Sequence, residues 1–334
     1  MKCYILERIL FLIPIVVLIS IATFALLHLV PGGPAASLME NPKVSADDLA
    51  RLRENLGLDK PLWVQYVHWF DRAFLHFDFG KSYVTGQPVN RMILERLPAT
   101  LELMATAFII ALIAALVVGV LWSVKAKGPM VELFAVLSTM GMSLPVFWLG
   151  IMAIALFSVK LGVLPAGGTN SIGSASTLPS HIKHLILPSF VLSLAYFSTW
   201  SRYIKAGMSD VVNQNFIRTA RAKGLGELSV VFKHALKNAV LPFLPVALMQ
   251  MPTIFTGAVV TETVFSWPGM GRLFYEGLQR HDYTRVLGIV VIASFLVVIF
   301  NLLADVLVAA VDPRIKANGR GVIVMGREES PALE

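Results

Sequence analysis

The chain has 334 residues, 56% of them hydrophobic and 15% charged, with a formal net charge of +7 and a mean hydropathy of +0.71. Soluble domains of that length would carry more charge, so the composition defines an integral membrane protein. The basic residues lie beside apolar runs rather than in a basic domain with interleaved aromatics, which argues against nucleic acid as a partner. The single Cys3 excludes an internal disulfide or a multi-cysteine metal site, and its position fits no lipoprotein signal.

Ile9–Val30 is the first apolar run, about long enough to span a bilayer, and it follows Lys2 and Arg8. A cleavable signal core is about 7–15 residues long, and no small-x-small site closes this run. The sequence therefore predicts a retained first helix, with Pro14 tolerated among neighbouring helices. Pro31–Leu97 is the one long polar insertion, with eight basic and eight acidic side chains. Leu49, Leu52, Leu56, Trp63, Tyr66, Trp69, Phe70 and Phe74 recur in it at helical spacing, which predicts folding against the outer membrane surface. Ser45 is placed to cap a helix over about Ala46–Asn55, Gly57 to end it, and Pro61 to open the next. Gly80-Lys81-Ser82 matches the end of a phosphate loop, but Leu75 stands where its first glycine belongs, so the tripeptide reads as a turn.

Five more apolar runs follow, at about Pro98–Val124, Val131–Val159, Leu185–Gly207, Ala239–Val260 and Leu287–Val311. Pro242, Pro245, Pro252 and Gly257 interrupt the fourth of these. Six predicted spans make an all-α polytopic fold: a first helix with its external insertion over 1–95, a membrane core over 96–312 and a tail over 313–334. Lys and Arg concentrate in the short loops of one side, which places those loops and both termini in the cytoplasm. Lys160–His184 then lies outside. His181 and His184 sit three apart there, but two ligands make no metal site, and an interfacial role is expected. Glu262–Arg285 also lies outside, where Trp267-Pro268-Gly269-Met270-Gly271 forces a sharp turn in a re-entrant or surface-lying segment. Glu262, Trp267, Pro268, Gly269 and Arg272 are its candidate gate residues. Glu102 is expected in the first turns of its span, where the helix dipole favours an acid. Asp305 is expected within two turns of the inner surface, and structural roles are predicted for these acids.

The polar stretch Ser209–Pro242 lies between two apolar runs. From Arg202 to Lys237 it collects seven basic residues, Arg202, Lys205, Arg218, Arg221, Lys223, Lys233 and Lys237, against Asp210 and Glu227, a bias that holds it in the cytoplasm. Ser209 or Asp210 is placed to cap a short helix opening at Val211 and Val212. Phe216, Ile217 and Ala220 continue its apolar side, Gly224 supplies a stop and Gly226 a bend. Such a helix, clear of the bilayer, needs a protein groove for that side.

Arg218-Thr219-Ala220-Arg221-Ala222-Lys223-Gly224 resembles the cytoplasmic coupling loop of ABC importer permeases, and above all of the dipeptide, oligopeptide and nickel permease branch. The general loop reads Glu-Ala-Ala, three residues, Gly, then nine residues to Ile-x-Leu-Pro. Here Arg218 and Thr219 replace the Glu and the first Ala, His234 and Leu236 take the Ile and Leu places, and Lys237 stands for Pro. The branch pattern Thr-Ala-Arg-Ala-Lys-Gly followed by His-Ala-Leu-Lys-Asn is present. Leu56–Tyr66, Thr261–Leu273 and Val311–Lys316 resemble the same branch, so the resemblance covers nearly the whole chain. It implies a multi-pass inner-membrane permease subunit whose coupling residues are Phe216, Ile217, Arg218, Thr219, Ala220, Arg221, Lys223 and Gly224. It also implies a second homologous permease, two ATP-binding cassette subunits holding ATP and Mg, and an extracytoplasmic solute-binding protein, all with membrane lipid around them. Peptides are the implied cargo, with nickel or another small solute as the alternative within the family. A gradient-driven secondary transporter, the alternative outside it, would show paired broken helices and mid-membrane acids. The chain itself carries no phosphate loop, nucleophile elbow, metal cluster or dinucleotide fingerprint, so neither a cofactor nor enzymatic activity is expected in it.

Overall fold

The computed structural model describes residues 2–29, 59–82, 84–124, 128–170 and 177–311. Every regular element among them is helical, apart from an isolated bridge between Lys81 and Pro88. Helix α1 runs Lys2–Leu29, α2 Leu62–Phe70 with a wider π turn over Asp71–Leu75, and α3 Val89–Val124. Next come α4, Pro129–Ser143, and α5, Val146–Lys160, then α6, Leu178–Val212, and α7, Asn215–Ala222. The chain continues through α8, Glu227–Met249, and α9, Met251–Val264, then α10, Met270–Gln279, and α11, Tyr283–Val311. The helix expected over Ala46–Asn55 with Ser45 and Gly57, the turn at Lys125 and Lys127, and the tail lie outside the described residues.

Three helices, α3, α6 and α11, are each long and apolar enough to cross a membrane. The pairs α4–α5 and α8–α9 pass the same test together, giving three to five spans by length and composition, and the apolar stretch Ile13–Leu26 of α1 is shorter. Val131–Val159, expected as one span, is instead bent by 118° between α4 and α5. The cause is local. A residue before proline is pushed out of the helical region, and Leu144 sits extended at φ −98, ψ 133 ahead of Pro145. A second break of 48° separates α8 from α9 at Gln250, just before Pro252, which has no N–H to continue the ladder.

The α3–α6 pair forms the centre. Ala107, Ala111 and Ala115 recur every fourth residue along α3 and are fully buried. Lipid gives helices no hydrophobic reason to associate, so close packing over small residues holds such a pair. Trp200, Ile204 and Met208 of α6 join the cluster around Ala111 and Ala115, and Ile254, Trp267, Met270 and Leu273 join the one around Leu103 and Ala107. The α9–α10 hairpin is thereby seated on the N-terminal half of α3. The described part of the aromatic insertion packs onto helices: Tyr66 hydroxyl meets Ser20 Oγ of α1 at 2.8 Å, and the ring of Phe74 lies 5.7 Å from that of Phe295.

Candidate functional site

Two constellations stand out, a polar corner around α7 and a buried knot around Glu262. Helix α6 continues through Ser209 and Asp210 to Val212, so neither residue caps the short helix as expected. The break falls at Asn213–Gln214, and α7 opens with Gln214 extended (φ −75, ψ 154) and making no side-chain cap. The expected groove for the apolar side is this chain's own surface. Ile217 is fully buried and Ala220 nearly so, packed with Met208 and Val211 of α6 and with Val230 and Val231 of α8. What α7 leaves outward is Phe216, 40% exposed, together with Arg218, Thr219, Arg221 and Lys223. The Thr219 hydroxyl is used up on the Asn215 carbonyl, 3.0 Å away, and Arg221 grips Glu227 with two bonds of 2.7 and 3.1 Å.

Gly224 does what its place after the helix predicts. Its φ is +76. Its N–H donates to the Arg221 carbonyl at 2.9 Å and that of Leu225 to the Ala220 carbonyl at 3.4 Å, the paired bonds of a Schellman stop with a left-handed residue at its centre. Gly226, extended at φ −63, ψ 145, opens α8 directly afterwards. The corner joins α7 directly to the foot of α8.

In the second constellation, α10 begins at Gly269, which has no side chain with which to cap it. The cap comes from elsewhere. Glu262 of α9, fully buried, accepts the Arg272 N–H at 3.0 Å, and Thr100 of α3 accepts the Met270 N–H at 2.7 Å. Thr100 also donates its hydroxyl to Glu262 at 2.6 Å. A carboxyl group at a helix N-terminus meets free N–H groups and the positive end of the dipole, which offsets the cost of burying it here. The glycines of the turn make room for it: a Cβ on Gly269 would stand 2.3 Å from the Glu262 carboxyl, and one on Gly271 2.4 Å from Val259 Cα. Trp267, fully buried, donates its indole N–H to the Ala99 carbonyl at 2.8 Å. Pro268 and Arg272 are half-buried, and Arg272 donates to the Ser266 carbonyl at 2.7 Å.

The five candidate gate residues are thus brought together, as a packed knot rather than an open polar face. The segment is less polar at its surface than its sequence implies, because Asp282 and Arg285 are buried too. Ser82 donates to Asp282 at 2.5 Å, and Arg285 donates to the Leu273 carbonyl. Glu102 departs from expectation. Helix α3 starts at Val89, so Glu102 lies beyond the first turn where the dipole acts, and it meets His181 Nε2 at 2.7 Å instead. His181 in turn lies 5.5 Å from the Trp267 ring, while His184 Nδ1 bonds the Ser180 carbonyl. Asp305 is half-buried on α11. Thr100, which ties the knot, was not singled out in the sequence; a lone hydroxyl in an apolar run gives no periodic signal.

These features define a polytopic helical membrane protein with a short basic helix at one end of its spans. Residues 115–317 match the model of the family described as "Binding-protein-dependent transport system inner membrane component", and residues 1–104 match "Binding-prot-dependent transport system membrane comp, N-term". The chain is 41% identical over 320 residues to the oligopeptide transport system permease protein AppB of Bacillus subtilis (strain 168), covering 95% of this chain and 100% of that one. It is 37% identical over 335 residues to the dipeptide transport system permease protein DppB of Escherichia coli (strain K12), covering 94% and 98%. Its fold is similar to a chain of the inward-facing MetNI methionine ABC transporter, with a TM-score of 0.54, 18% identity, and 66% and 96% of the two chains covered. The chain belongs to the binding-protein-dependent transport system inner membrane components. It is a multi-pass transport subunit, not itself an enzyme. The family, rather than the bends in its helices, sets the class.

Proposed function

We propose that the chain is the membrane-spanning permease subunit of an ATP-driven importer that takes up di- or oligopeptides delivered by an extracytoplasmic solute-binding protein. End-to-end identity with AppB and DppB, each named as a peptide permease subunit, carries this reading. In it α1 is a sixth span beside the five candidates, and both termini are cytoplasmic. A second homologous permease completes the pathway, and two ATP-binding cassette subunits supply hydrolysis with their own ATP and Mg. These subunits dock on the outward side of α7, on Phe216 with Arg218, Thr219, Arg221 and Lys223. Because Ile217 and Ala220 are packed into α6 and α8, a push on α7 is delivered to both spans at once. The spans then reorient between outward and inward openings. The knot around Glu262, Trp267, Pro268, Gly269 and Arg272 moves as one body at the opposite end.

The experiment is uptake of labelled di- and oligopeptides and of nickel by cells lacking and regaining this chain. Peptide uptake that disappears and returns with the chain supports the reading; loss of nickel uptake alone would replace its cargo.

A further inference from the structure

The break between α8 and α9 exposes polar groups at a depth where they are expensive. Gln250 forms the break, Thr253 follows within one turn, and Tyr196 faces them from α6. Tyr196 stands one residue from the midpoint of Leu178–Val212. Thr253 is exposed, and Gln250 and Tyr196 are half-exposed. Polar atoms open to the surface at the middle of a span do not face hydrocarbon; they line protein or water. The α6 surface stays polar beyond Tyr196 towards its α7 end, through Thr199, Arg202 and Tyr203, at the spacing of one helix side.

The hydrogen bonds inside the cluster fix what it offers. Trp200, fully buried, donates its indole N–H to Gln250 Oε1 at 2.8 Å. Indole is a donor only, so the amide oxygen must face it, and among the described residues no acceptor takes either amide hydrogen of Gln250. The Thr253 hydroxyl gives its one hydrogen to the Gln250 carbonyl at 2.7 Å. In the 3.4 Å contact between Tyr196 and Thr253 Tyr196 is therefore the donor, and the lone pairs of its oxygen are open. The cluster presents an N–H donor on Gln250 and a hydroxyl acceptor on Tyr196, joined through Thr253.

A peptide unit carries one acceptor and one donor, whatever its side chains. We propose that Gln250, Tyr196 and Thr253 form the mid-membrane contact for the main-chain amides of the cargo, a site indifferent to side-chain identity. This rests on the peptide-import reading and goes beyond it by naming where the cargo is held.

The test uses the whole complex with its loaded binding protein, in membrane vesicles. Cys3 is the only cysteine of this chain, so with C3S any label found on the separated chain reports T253C alone. A charged thiosulfonate reagent should label T253C, peptide-loaded binding protein with ATP should slow that labelling, and labelled vesicles should lose peptide uptake. Labelling by a hydrophobic maleimide but not by the charged reagent would put Thr253 against lipid and overturn the proposal. In parallel, Y196F should lower uptake about 3–10-fold, the size expected for one net hydrogen bond. It should also abolish discrimination between a peptide and its N-methylated analogue at saturating loaded binding protein. If Y196F leaves that discrimination intact, the contact is not to the main chain and the proposal fails. A parent complex that carries no peptide at all would instead bring down the import reading on which the proposal stands.

Discussion

Thr100 and Glu262 lie 162 positions apart and share a 2.6 Å hydrogen bond in a site closed to solvent. The same Thr100 oxygen accepts the Met270 N–H, so one side chain joins α3 to both halves of the α9–α10 hairpin. Replacing it with an isosteric apolar residue leaves a buried N–H and a buried carboxyl each short of a partner, at about 1–3 kcal/mol. Thr100→Val should lower the thermal midpoint of the detergent-purified chain, and Thr100→Ser should restore most of it, because the hydroxyl is what matters. Equal midpoints for the Val and Ser variants would remove this role.

Ile217 and Phe216 are neighbours with opposite surroundings. Ile217 is fully buried within the chain and Phe216 is 40% exposed. Truncating a buried Ile to Ala costs about 2–5 kcal/mol, so Ile217→Ala should reduce the amount of folded chain in the membrane. Phe216→Ala should leave that amount unchanged and reduce co-purification of the ATPase subunit. Blotting for both chains after one affinity step separates the two effects.

The contrast between these residues also shows what the sequence could and could not disclose. Spacing alone put Phe216, Ile217 and Ala220 on one apolar side, but only the fold reveals that α6 and α8 already cover two of them. Gly224 was legible because a left-handed stop follows from local chemistry. The bend at Leu144 was missed although Pro145 was visible; an apolar run gives no sign of whether a proline is absorbed, as Pro98 is within α3, or breaks the helix. Glu262 was recognisable as a costly charge. Its partners Thr100 and the Arg272 N–H come from other elements, and pairings over such distances leave no trace in periodicity.

At Gly224 a side chain would meet nothing within 4 Å, so any penalty comes from φ alone. Asn tolerates the left-handed region and β-branched residues do not. Gly224→Asn should therefore retain ATP hydrolysis that responds to loaded binding protein. Gly224→Val should insert normally but lose that response. If both variants behave alike, the left-handed corner is not what transmits the signal.

Asp78 sits in the turn between α2 and α3. Its carboxylate is held below the usual range, first by the hydrogen bond from Arg72 and then by the Gly80 N–H. With the folded value depressed, the bond's contribution is complete above the unfolded value of about 3.9 and is lost as pH falls through the folded one. Both partners are about half exposed, so the effect is small and screened by salt. Lowering the pH from about 5 to about 3, across that value, should reduce the thermal midpoint more in the parent than in Asp78→Asn, and high salt should narrow the gap. An identical pH dependence in both would show that the pair contributes nothing.

The central claim is that an ATPase subunit drives this chain through the outward side of α7, and proximity at Phe216 tests it most directly. In a C3S background, F216C is labelled with a maleimide carrying a photoactivated benzophenone, which inserts into neighbouring C–H bonds, in membranes containing the assembled complex, and the products are identified by mass. The account predicts a covalent adduct with the ATP-binding subunit whose yield changes when nucleotide is added. Modification by lipid-phase reagents alone, with the ATPase present and no adduct formed, would mean that α7 lies on the headgroups, and would contradict the account.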